Sequence, residues 1–230
     1  MKPKTSLCFI VLNELDGCKK DIPNISFNEF DEIFAVDGGS TDGTVEYLKS
    51  KNIKVYNQEK KGLNNAYILA NDSSNCDNIV VFFPKNSIDT NIIIELKNKL
   101  NQGADIAIAS RMIAGSLNEE DGKLLKYRKW SSLMLANLVS LFFRKNGPKV
   151  NDILHGVKGW KKNIFNKMKI INKGVSIDLE MVLKGYKLNA KITEIPTKEK
   201  SLIGRKTNFP FWSTGLKLLK YLFFAVFFEK

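Results

Sequence analysis

Short apolar runs alternate with helical patterns along the first half of the chain. The runs are bounded by turn residues and have the length of buried strands; they lie at residues 7–12, 33–36, 53–56, 79–83 and 106–109. Helical spacing of apolar residues occurs between them at 44–51 and 91–100, the second followed by Gly103. This alternation predicts an α/β fold in which helices cover both faces of a mostly parallel sheet. Ligands of such sheets bind beyond the carboxyl ends of the strands.

The second half of the chain is predicted to continue the same sheet. A long helix is expected at residues 124–143 and another at 177–186, before a strand at 190–195. Because the length suits one substantial core, residues 1–207 are predicted to form a single domain with halves at 1–112 and 113–207.

The C-terminal segment 208–230 is predicted to be a basic amphipathic helix at a membrane surface. Its unbroken apolar run, 221–228, is shorter than the ~20 residues that cross a bilayer. Lys217 and Lys220 interrupt the residues before it. Aromatic side chains below lysines at headgroup level are typical of an interfacial helix. The alternative is a helix packed on the domain or on a second copy of the chain.

The N-terminus superficially resembles a signal peptide, because Lys2 and Lys4 precede the apolar run 7–12. Asn13 and Glu14 end that run and no small-residue cleavage site follows, so the run is predicted to be a buried first strand. The three cysteines lack metal-binding or redox spacing, which indicates a reducing compartment. We therefore expect a peripheral protein on the cytoplasmic face of a membrane.

The formal charge of +12 favours anionic partners. Phosphates, anionic lipid headgroups and nucleic acid all satisfy this condition. Trp130, Trp160 and Trp212 lack the regular spacing of a base-stacking platform, which disfavours nucleic acid. Phosphate-bearing small molecules and an anionic membrane surface are therefore the expected partners.

Residues 36–44 read V-D-G-G-S-T-D-G-T where a predicted strand ends and a predicted helix begins. Glycines allow a tight turn there, and the Asp37 carboxylate can accept hydrogen bonds from a base or a ribose. The segment therefore suits nucleotide binding. The alternative is an ordinary turn in which Ser40, Thr41 or Asp42 caps the following helix.

This segment resembles the V-D-D-G-S-x-D-G-T signature of family 2 glycosyltransferases, with Gly38 in place of the second Asp. Further segments resemble family motifs in the same order: 109–111 (A-S-R) resembles G-S-R, 152–158 (D-I-L-H-G-V-K) resembles D-x-x-S-G-F-R, and 177–186 resembles F-E-I-E-L-L-L-K-A-x. The resemblance covers about residues 5–207 and implies a GT-A fold. The branch to which the chain is most similar comprises the dolichyl- and polyprenyl-phosphate sugar synthases.

The resemblance also implies roles for individual residues. The half 1–112 is expected to bind the nucleotide-sugar, and the half 113–207, which is more helical and more basic, is expected to lie on the acceptor side. The residues expected to bind the nucleotide-sugar are Asn13, Glu14, Asp37, Gly39, Ser40, Asp42, Lys85 and Arg111. The residues expected near the acceptor or its phosphate are Arg128, Arg205 and His155. Arginine suits phosphate because its planar fork binds two oxygens. The alternatives are solvated surface arginines and an incidental loop histidine.

The metal-binding position of the family differs in this chain. Where family members carry a D-x-D that holds Mg²⁺ or Mn²⁺, residues 81–87 read V-F-F-P-K-N-S. Such ions need several carboxylate or carbonyl oxygens, so the cofactor stays undetermined and no metal ligand is predicted. The Lys85 ammonium is a candidate to stabilise the leaving diphosphate instead. The alternative is a solvated turn before a helix capped by Asp89.

Asp178 and Asp152 are the candidate catalytic carboxylates. The resemblance aligns Asp178 with the base of hydroxyl-glycosylating relatives, although Ile177 replaces the Glu before it. A lipid phosphate is already an anionic nucleophile, whereas a hydroxyl must lose a proton as it attacks. Asp178 is therefore expected to act as a base only with a hydroxyl acceptor. The alternatives are a carboxylate favoured by a helix N-terminus for Asp178 and an ordinary turn residue for Asp152.

These observations predict a transferase that uses a nucleotide-sugar donor and a polyprenyl-phosphate or glycan acceptor at an anionic membrane surface. The resemblance implies inversion at the anomeric carbon. Two alternatives remain. One is a catalytically inactive relative that binds a nucleotide or a partner. The other is a basic membrane-surface or nucleic-acid adaptor with the same fold.

Overall fold

The computed structural model describes residues 2–171, 174–201 and 210–228. Its centre is a seven-stranded sheet with the order β3-β2-β1-β4-β6-β5-β7. The strands are β1 (Thr5–Val11), β2 (Glu32–Asp37), β3 (Lys54–Asn57), β4 (Asn78–Phe82), β5 (Ile106–Ser110), β6 (Lys158–Lys161) and β7 (Ile192–Pro196). Within this sheet β6 is antiparallel to β4 and β5, and the other pairs are parallel. The predicted mostly parallel sheet is therefore confirmed.

Strand β6 is the one strand of the described sheet that the sequence pattern does not predict. Its sequence, K-G-W-K, contains no apolar run, yet it fits between β4 and β5 because Gly159 has no side chain. A Cβ at Gly159 would lie 2.9 Å from Leu100 Cδ1 and 3.1 Å from Ile79 O. The neighbouring Trp160 is fully buried and stacks on Tyr67, with ring centroids 5.4 Å apart. The strand thus carries Lys158, which is also fully buried, into the protein interior.

Eight α-helices flank the sheet in the described part of the chain. They are α1 (Leu15–Asp21), α2 (Thr44–Ser50), α3 (Leu63–Ser73), α4 (Ile92–Asn101), α5 (Tyr127–Phe143), α6 (Lys162–Met168), α7 (Ile177–Lys187) and α8 (Phe211–Phe227). Helices α1, α2 and α4 pack on one face, and α3, α5, α6, α7 and α8 pack on the other. The helices predicted at 44–51, 91–100 and 177–186 are confirmed, and the one predicted from residue 124 begins at Tyr127.

Helix α8 belongs to the core on one side and is exposed on the other. Its buried residues pack in the same hydrophobic cluster as those of α5; they are Leu218, Tyr221, Leu222 and Ala225. Its opposite side leaves large apolar side chains in solvent: Trp212, Leu216, Leu219, Phe223, Phe224 and Phe227. The predicted C-terminal helix is confirmed, but it packs on the domain rather than following it as a separate tail. Among the described helices, none has the length and apolar character needed to cross a bilayer.

Candidate active site

The glycine-rich turn follows β2 at the carboxyl edge of the sheet. Asp37 ends that strand opposite Val11 of β1. Its buried carboxylate accepts hydrogen bonds from the backbone N–H groups of Gly39 at 2.9 Å and Ser40 at 3.0 Å. Gly39 has φ = 101°, a left-handed conformation that favours glycine. Asp37 therefore shapes the turn through its own side chain.

Polar side chains tie the end of β1 to this turn. The backbone N–H of Asn13 donates to Ser40 Oγ at 2.8 Å, and Asn13 Oδ1 accepts from the Thr41 N–H at 2.8 Å. The Asp42 carboxylate accepts from the N–H groups of Leu15 at 3.1 Å and Thr44 at 3.0 Å. These two residues are the first of α1 and α2. Asp42 thus contacts the starts of two helices, while Gly43 occupies the cap position of α2 itself.

The same hydrogen bonds set the charge of Asp42. Burial raises the pKa of its carboxyl, but the bonds from the Thr44 side chain and from the Leu15 and Thr44 N–H groups outweigh burial and hold the pKa below its usual value. The helix-cap interpretation of Asp42 is therefore supported in part. A preformed, anionic turn of this kind can also present backbone and carboxylate groups to a nucleoside.

Six of the predicted site residues line one cleft of about 560 Å³ beside the glycine-rich turn. They are Glu14, Lys85, Arg111, Arg128, His155 and Asp178. The predicted residues Asn13, Asp37, Gly39, Ser40 and Asp42 do not line it. Glu14 connects the two places, since its backbone N–H donates to Thr44 Oγ1 at 2.9 Å. Arg205 lies outside the described residues, so its predicted phosphate contact stays a prediction.

Arg111 is held by two carboxylates at the edge of the cleft. Its Nε and Nη2 donate to the two oxygens of Asp152 at 2.8 and 2.9 Å, and its Nη1 donates to Glu199 Oε2 at 2.8 Å. Glu194 holds the backbone of Asp152 in place, because its carboxylate accepts the Asp152 N–H at 2.8 Å. Arg111 therefore has part of its donor set engaged before any phosphate arrives.

Asp152 serves as the counter-ion of Arg111. Its side chain has no exposed surface. Burial raises the pKa of its carboxyl, but the charge and hydrogen bonds of Arg111 outweigh burial and lower the pKa to about 2. A carboxylate so weakly basic and enclosed does not favour proton abstraction. The geometry thus supports a structural role for Asp152 over the predicted catalytic one.

Asp178 lies in the first turn of α7 and contacts a buried cation. Lys158 Nζ of β6 is 2.7 Å from Asp178 Oδ1. The two groups form an ion pair, but Nζ makes no hydrogen bond in the described part of the chain. Tyr67 Oη donates to the Gly156 carbonyl at 2.6 Å and lies 3.4 Å from Asp178 Oδ1. Asp178 is therefore both a helix N-terminal carboxylate and a cleft residue with a fixed orientation. The predicted base and its alternative fit this position equally.

Lys85 and His155 occupy the cleft wall. Lys85 Nζ lies 5.3 Å from the Phe83 ring centroid and is partly buried, which does not fit the alternative of a solvated turn. Asp89 accepts the N–H of Asn91, and Asn91 takes the cap position of α4. Burial lowers the pKa of Lys85, while Glu199 and Glu119 oppose that shift.

His155 is buried close to the charged group formed by Arg111, Asp152 and Glu199. Burial and then the charge of Arg111 lower the pKa of its imidazole, so the ring is neutral near pH 7. Its Nδ1 has no hydrogen-bond partner in the described part of the chain. A neutral imidazole can donate or accept one hydrogen bond to a ligand.

The sequence analysis did not include two charged residues of this region, Lys158 and Glu199, among the predicted site residues. Lys158 occupies the last position of the segment that resembles D-x-x-S-G-F-R, where the family carries an arginine, so the motif could have identified it as a cation of the site. Glu199 belongs to no quoted motif. Its partner Arg111 lies 88 residues away in the sequence, and only the fold brings the two together.

Known proteins support a common family and fold. Residues 10–168 match the sequence model of the family described as Glycosyl transferase family 2. Over 204 residues the chain is 28% identical to a dolichol-phosphate mannosyltransferase of Pyrococcus furiosus, covering 83% of this chain and 55% of that protein. Over 186 residues it is 22% identical to the glycosyltransferase AglJ of Haloferax volcanii, covering 80% of this chain and 59% of that protein. The chain thus spans less than two thirds of each of these relatives.

Solved structures confirm the GT-A architecture. Glucosyl-3-phosphoglycerate synthase from Mycobacterium tuberculosis, in complex with Mn²⁺, UDP and glucosyl-3-phosphoglycerate, superposes with a TM-score of 0.72 at 14% identity. The match covers 97% of this chain and 79% of that one. At this identity the likeness concerns the fold.

Proposed function

Because the chain belongs to glycosyl transferase family 2, we propose that it transfers a sugar from a nucleoside-diphosphate sugar to a polyprenyl phosphate at a membrane surface. The acceptor oxygen attacks the anomeric carbon, and the bond from that carbon to the diphosphate oxygen breaks. The nucleoside diphosphate leaves with the electron pair. One relative is named a dolichol-phosphate mannosyltransferase, which makes a lipid phosphate a natural first acceptor to test.

The donor side of the proposal rests on the glycine-rich turn and the adjoining cleft. Both lie at the carboxyl edge of the parallel strands, where open α/β sheets bind their ligands. The turn offers Asn13, Asp37 and Asp42 to a nucleoside, and the cleft offers Lys85 and Arg128 to phosphates. Arg128 is on the first turn of α5 and lines the cleft.

The observation that carries the lipid acceptor is the double contact of α8. Its N-terminal part lines the cleft through Phe211, Thr214, Gly215 and Leu218. Farther along, an apolar groove of about 500 Å³ runs between α8 and Phe142 of α5. Because Leu218 lines the cleft and Leu219 lines the groove, a lipid chain in the groove can place its phosphate end in the cleft, and one helix then links a lipid-binding surface to the site of transfer.

Transfer can be tested with vesicles that contain a polyprenyl phosphate. The purified chain is incubated with radiolabelled UDP-, GDP- and dTDP-sugars, and label extracted into organic solvent is counted. We expect extraction that requires both the donor and the lipid phosphate. Label on a soluble glycan would instead support the glycan acceptor. Nucleotide binding without transfer or donor hydrolysis would contradict the proposal and favour the inactive relative.

The exposed face of α8 is expected to bind anionic membranes. Phe223 and Phe227 are each 60% exposed and contact each other with ring centroids 4.6 Å apart, while Lys217 and Lys220 of the same helix are exposed. Apolar insertion and attraction to anionic lipid add together in such helices. The double variant Phe223→Ser, Phe227→Ser should float with anionic vesicles about tenfold less than the wild type.

Point variants suit this test because α8 contributes buried residues to the core, so removing the helix would also expose part of that core. A matched control is Ile94→Ser on α4, which packs on the opposite face of the sheet. The control should float as the wild type does. Equal flotation of the double variant, with an unchanged melting temperature, would refute membrane binding through α8.

A further inference from the structure

The carboxyl end of β4 does not offer ligands for a divalent cation. The strand ends at Phe82 and is followed by Phe83, Pro84 and Lys85. Mg²⁺ and Mn²⁺ require several oxygen ligands in a defined geometry. Across residues 2–171, 174–201 and 210–228, no three His, Cys, Asp or Glu side chains come together in a possible metal site. The residues at this position therefore do not fit the Mn²⁺ that accompanies UDP in the related structure.

Two of the carboxylates that line the cleft are already paired with cations of the chain. Asp178 lies 2.7 Å from Lys158, and Glu199 lies 2.8 Å from Arg111. Recruiting either one to a metal would leave a buried or half-buried cation without its partner, which is costly. These pairs make a metal site in the cleft less favourable still.

The turn that carries Lys85 is fixed from both sides. Gly17 of α1 touches its backbone so closely that a Cβ there would lie 1.9 Å from the Pro84 carbonyl oxygen. The Asp21 carboxylate accepts the Asn86 N–H at 2.7 Å, and the Lys200 N–H donates to the Ser87 carbonyl at 2.8 Å. The position of Lys85 is thus determined by the fold before a ligand binds.

The Lys85 ammonium is available for an anion. In the described part of the chain it forms no ion pair within 4.0 Å, although it lies 5.3 Å from the Phe83 ring centroid. By contrast, Lys129 contacts Asp121, Lys158 contacts Asp178 and Lys184 contacts Glu180. Burial lowers the pKa of Lys85, and Glu199 and Glu119 oppose that shift from a distance.

We propose that Lys85 binds the donor diphosphate directly and that donor binding and transfer by this chain need no divalent cation. This inference rests on the proposed transferase function. When the bond between the anomeric carbon and the diphosphate oxygen breaks, the electron pair stays on the diphosphate. A cation fixed beside that oxygen offsets the growing negative charge without having to reorganise.

Calorimetric titration with ADP, CDP, GDP and UDP, in MnCl₂ and in EDTA, tests the inference. We expect a wild-type chain that binds at least one of these nucleotides equally tightly in both buffers. Lys85→Gln should weaken that binding about 10- to 100-fold in EDTA, since a charge-assisted contact is lost. Lys85→Arg should restore most of it, because the charge is kept.

Lys99→Gln is the matched control, since Lys99 is an exposed lysine of α4 that does not line the cleft. It should bind as the wild type does. Binding that requires Mn²⁺ would overturn the inference and leave the transferase proposal intact. Unchanged binding by Lys85→Gln would overturn the role of Lys85 in the same way. Failure of the wild type to bind any of these nucleotides in either buffer would contradict both proposals.

Discussion

Replacing Asp152 with alanine is expected to lower the free energy of unfolding by about 3–5 kcal/mol, because a buried charge then loses its principal partner. Asp152 has no exposed surface and binds Arg111 through both of its oxygens, while the Arg111 side chain is 15% exposed. Glu199 alone would remain beside the guanidinium. Urea denaturation at pH 7 measures the change.

A surface ion pair provides the control for this variant. Lys161 contacts Asp105 at 2.9 Å, and their side chains are 30% and 21% exposed. Pairs of this exposure contribute at most about 1 kcal/mol, so Lys161→Ala should have a small effect. A loss below that level for Asp152→Ala would show that Arg111 does not depend on Asp152.

Acid should remove the part of this contribution that depends on the charge of Asp152 in the wild type. The pKa of Asp152 falls from 3.8 to about 2 on folding, so the unfolded chain binds the proton more tightly. The stabilisation is therefore complete above the unfolded pKa and is lost as the pH falls through the folded one. The stability difference between the wild type and Asp152→Asn should narrow over that interval, from pH 3.8 to about 2. A stability difference that stays constant over this interval would contradict the role of Asp152 as the counter-ion of Arg111.

Most of the sheet could be predicted from the sequence because buried parallel strands have a simple pattern. Strands covered on both faces are apolar throughout, and β1, β4 and β5 are buried at each position. Their runs are separated by turn residues and helices, which leaves few other folds. The same reasoning predicted that ligands would bind beyond the carboxyl ends of the strands, which is the edge of the sheet where the glycine-rich turn and the cleft lie.

The elements that escaped prediction depend on tertiary contacts. Strand β6 has two lysines and a glycine, and its burial makes sense only once Ile79 and Leu100 surround Gly159. Helix α3 contains four asparagine or aspartate residues, which weaken a helical pattern. One of them, Asn64, is buried and joins α3 to α7, since its Oδ1 accepts the Ile177 N–H at 2.9 Å.

The role of each charged site residue could not be predicted from motifs alone. A motif places a carboxylate at the edge of the sheet, but whether it is a base or a counter-ion depends on what lies beside it. Asp152 and Arg111 are 41 residues apart in the chain and form a bidentate pair. Lys85 is the converse case, since the sequence places a cation at this edge and the fold leaves it without a carboxylate partner in the described part of the chain.

Replacing Asp178 with alanine is expected to lower the free energy of unfolding by about 3–5 kcal/mol and to lower transfer as the folded fraction falls. Lys158 has no exposed side-chain surface, and Asp178 Oδ1 is 2.7 Å from its ammonium. Removing the carboxylate leaves that ammonium buried and unpaired. Thermal and urea denaturation measure the stability, but loss of transfer in this variant would not separate catalysis from folding.

The double variant Lys158→Met, Asp178→Leu separates the two roles. Replacing both members of a buried pair with apolar residues of similar volume is often neutral or stabilising, so the double variant should recover most of the lost stability.

A catalytic base increases the rate of transfer by a factor of about 10²–10⁴. If Asp178 is the base for a hydroxyl acceptor, transfer to that acceptor stays reduced by this factor in the stable double variant. Transfer to a polyprenyl phosphate should recover with stability, because its oxygen is already anionic. Full recovery with a hydroxyl acceptor would refute the base, and failure to recover with the lipid phosphate would show that Asp178 also holds the donor or the acceptor.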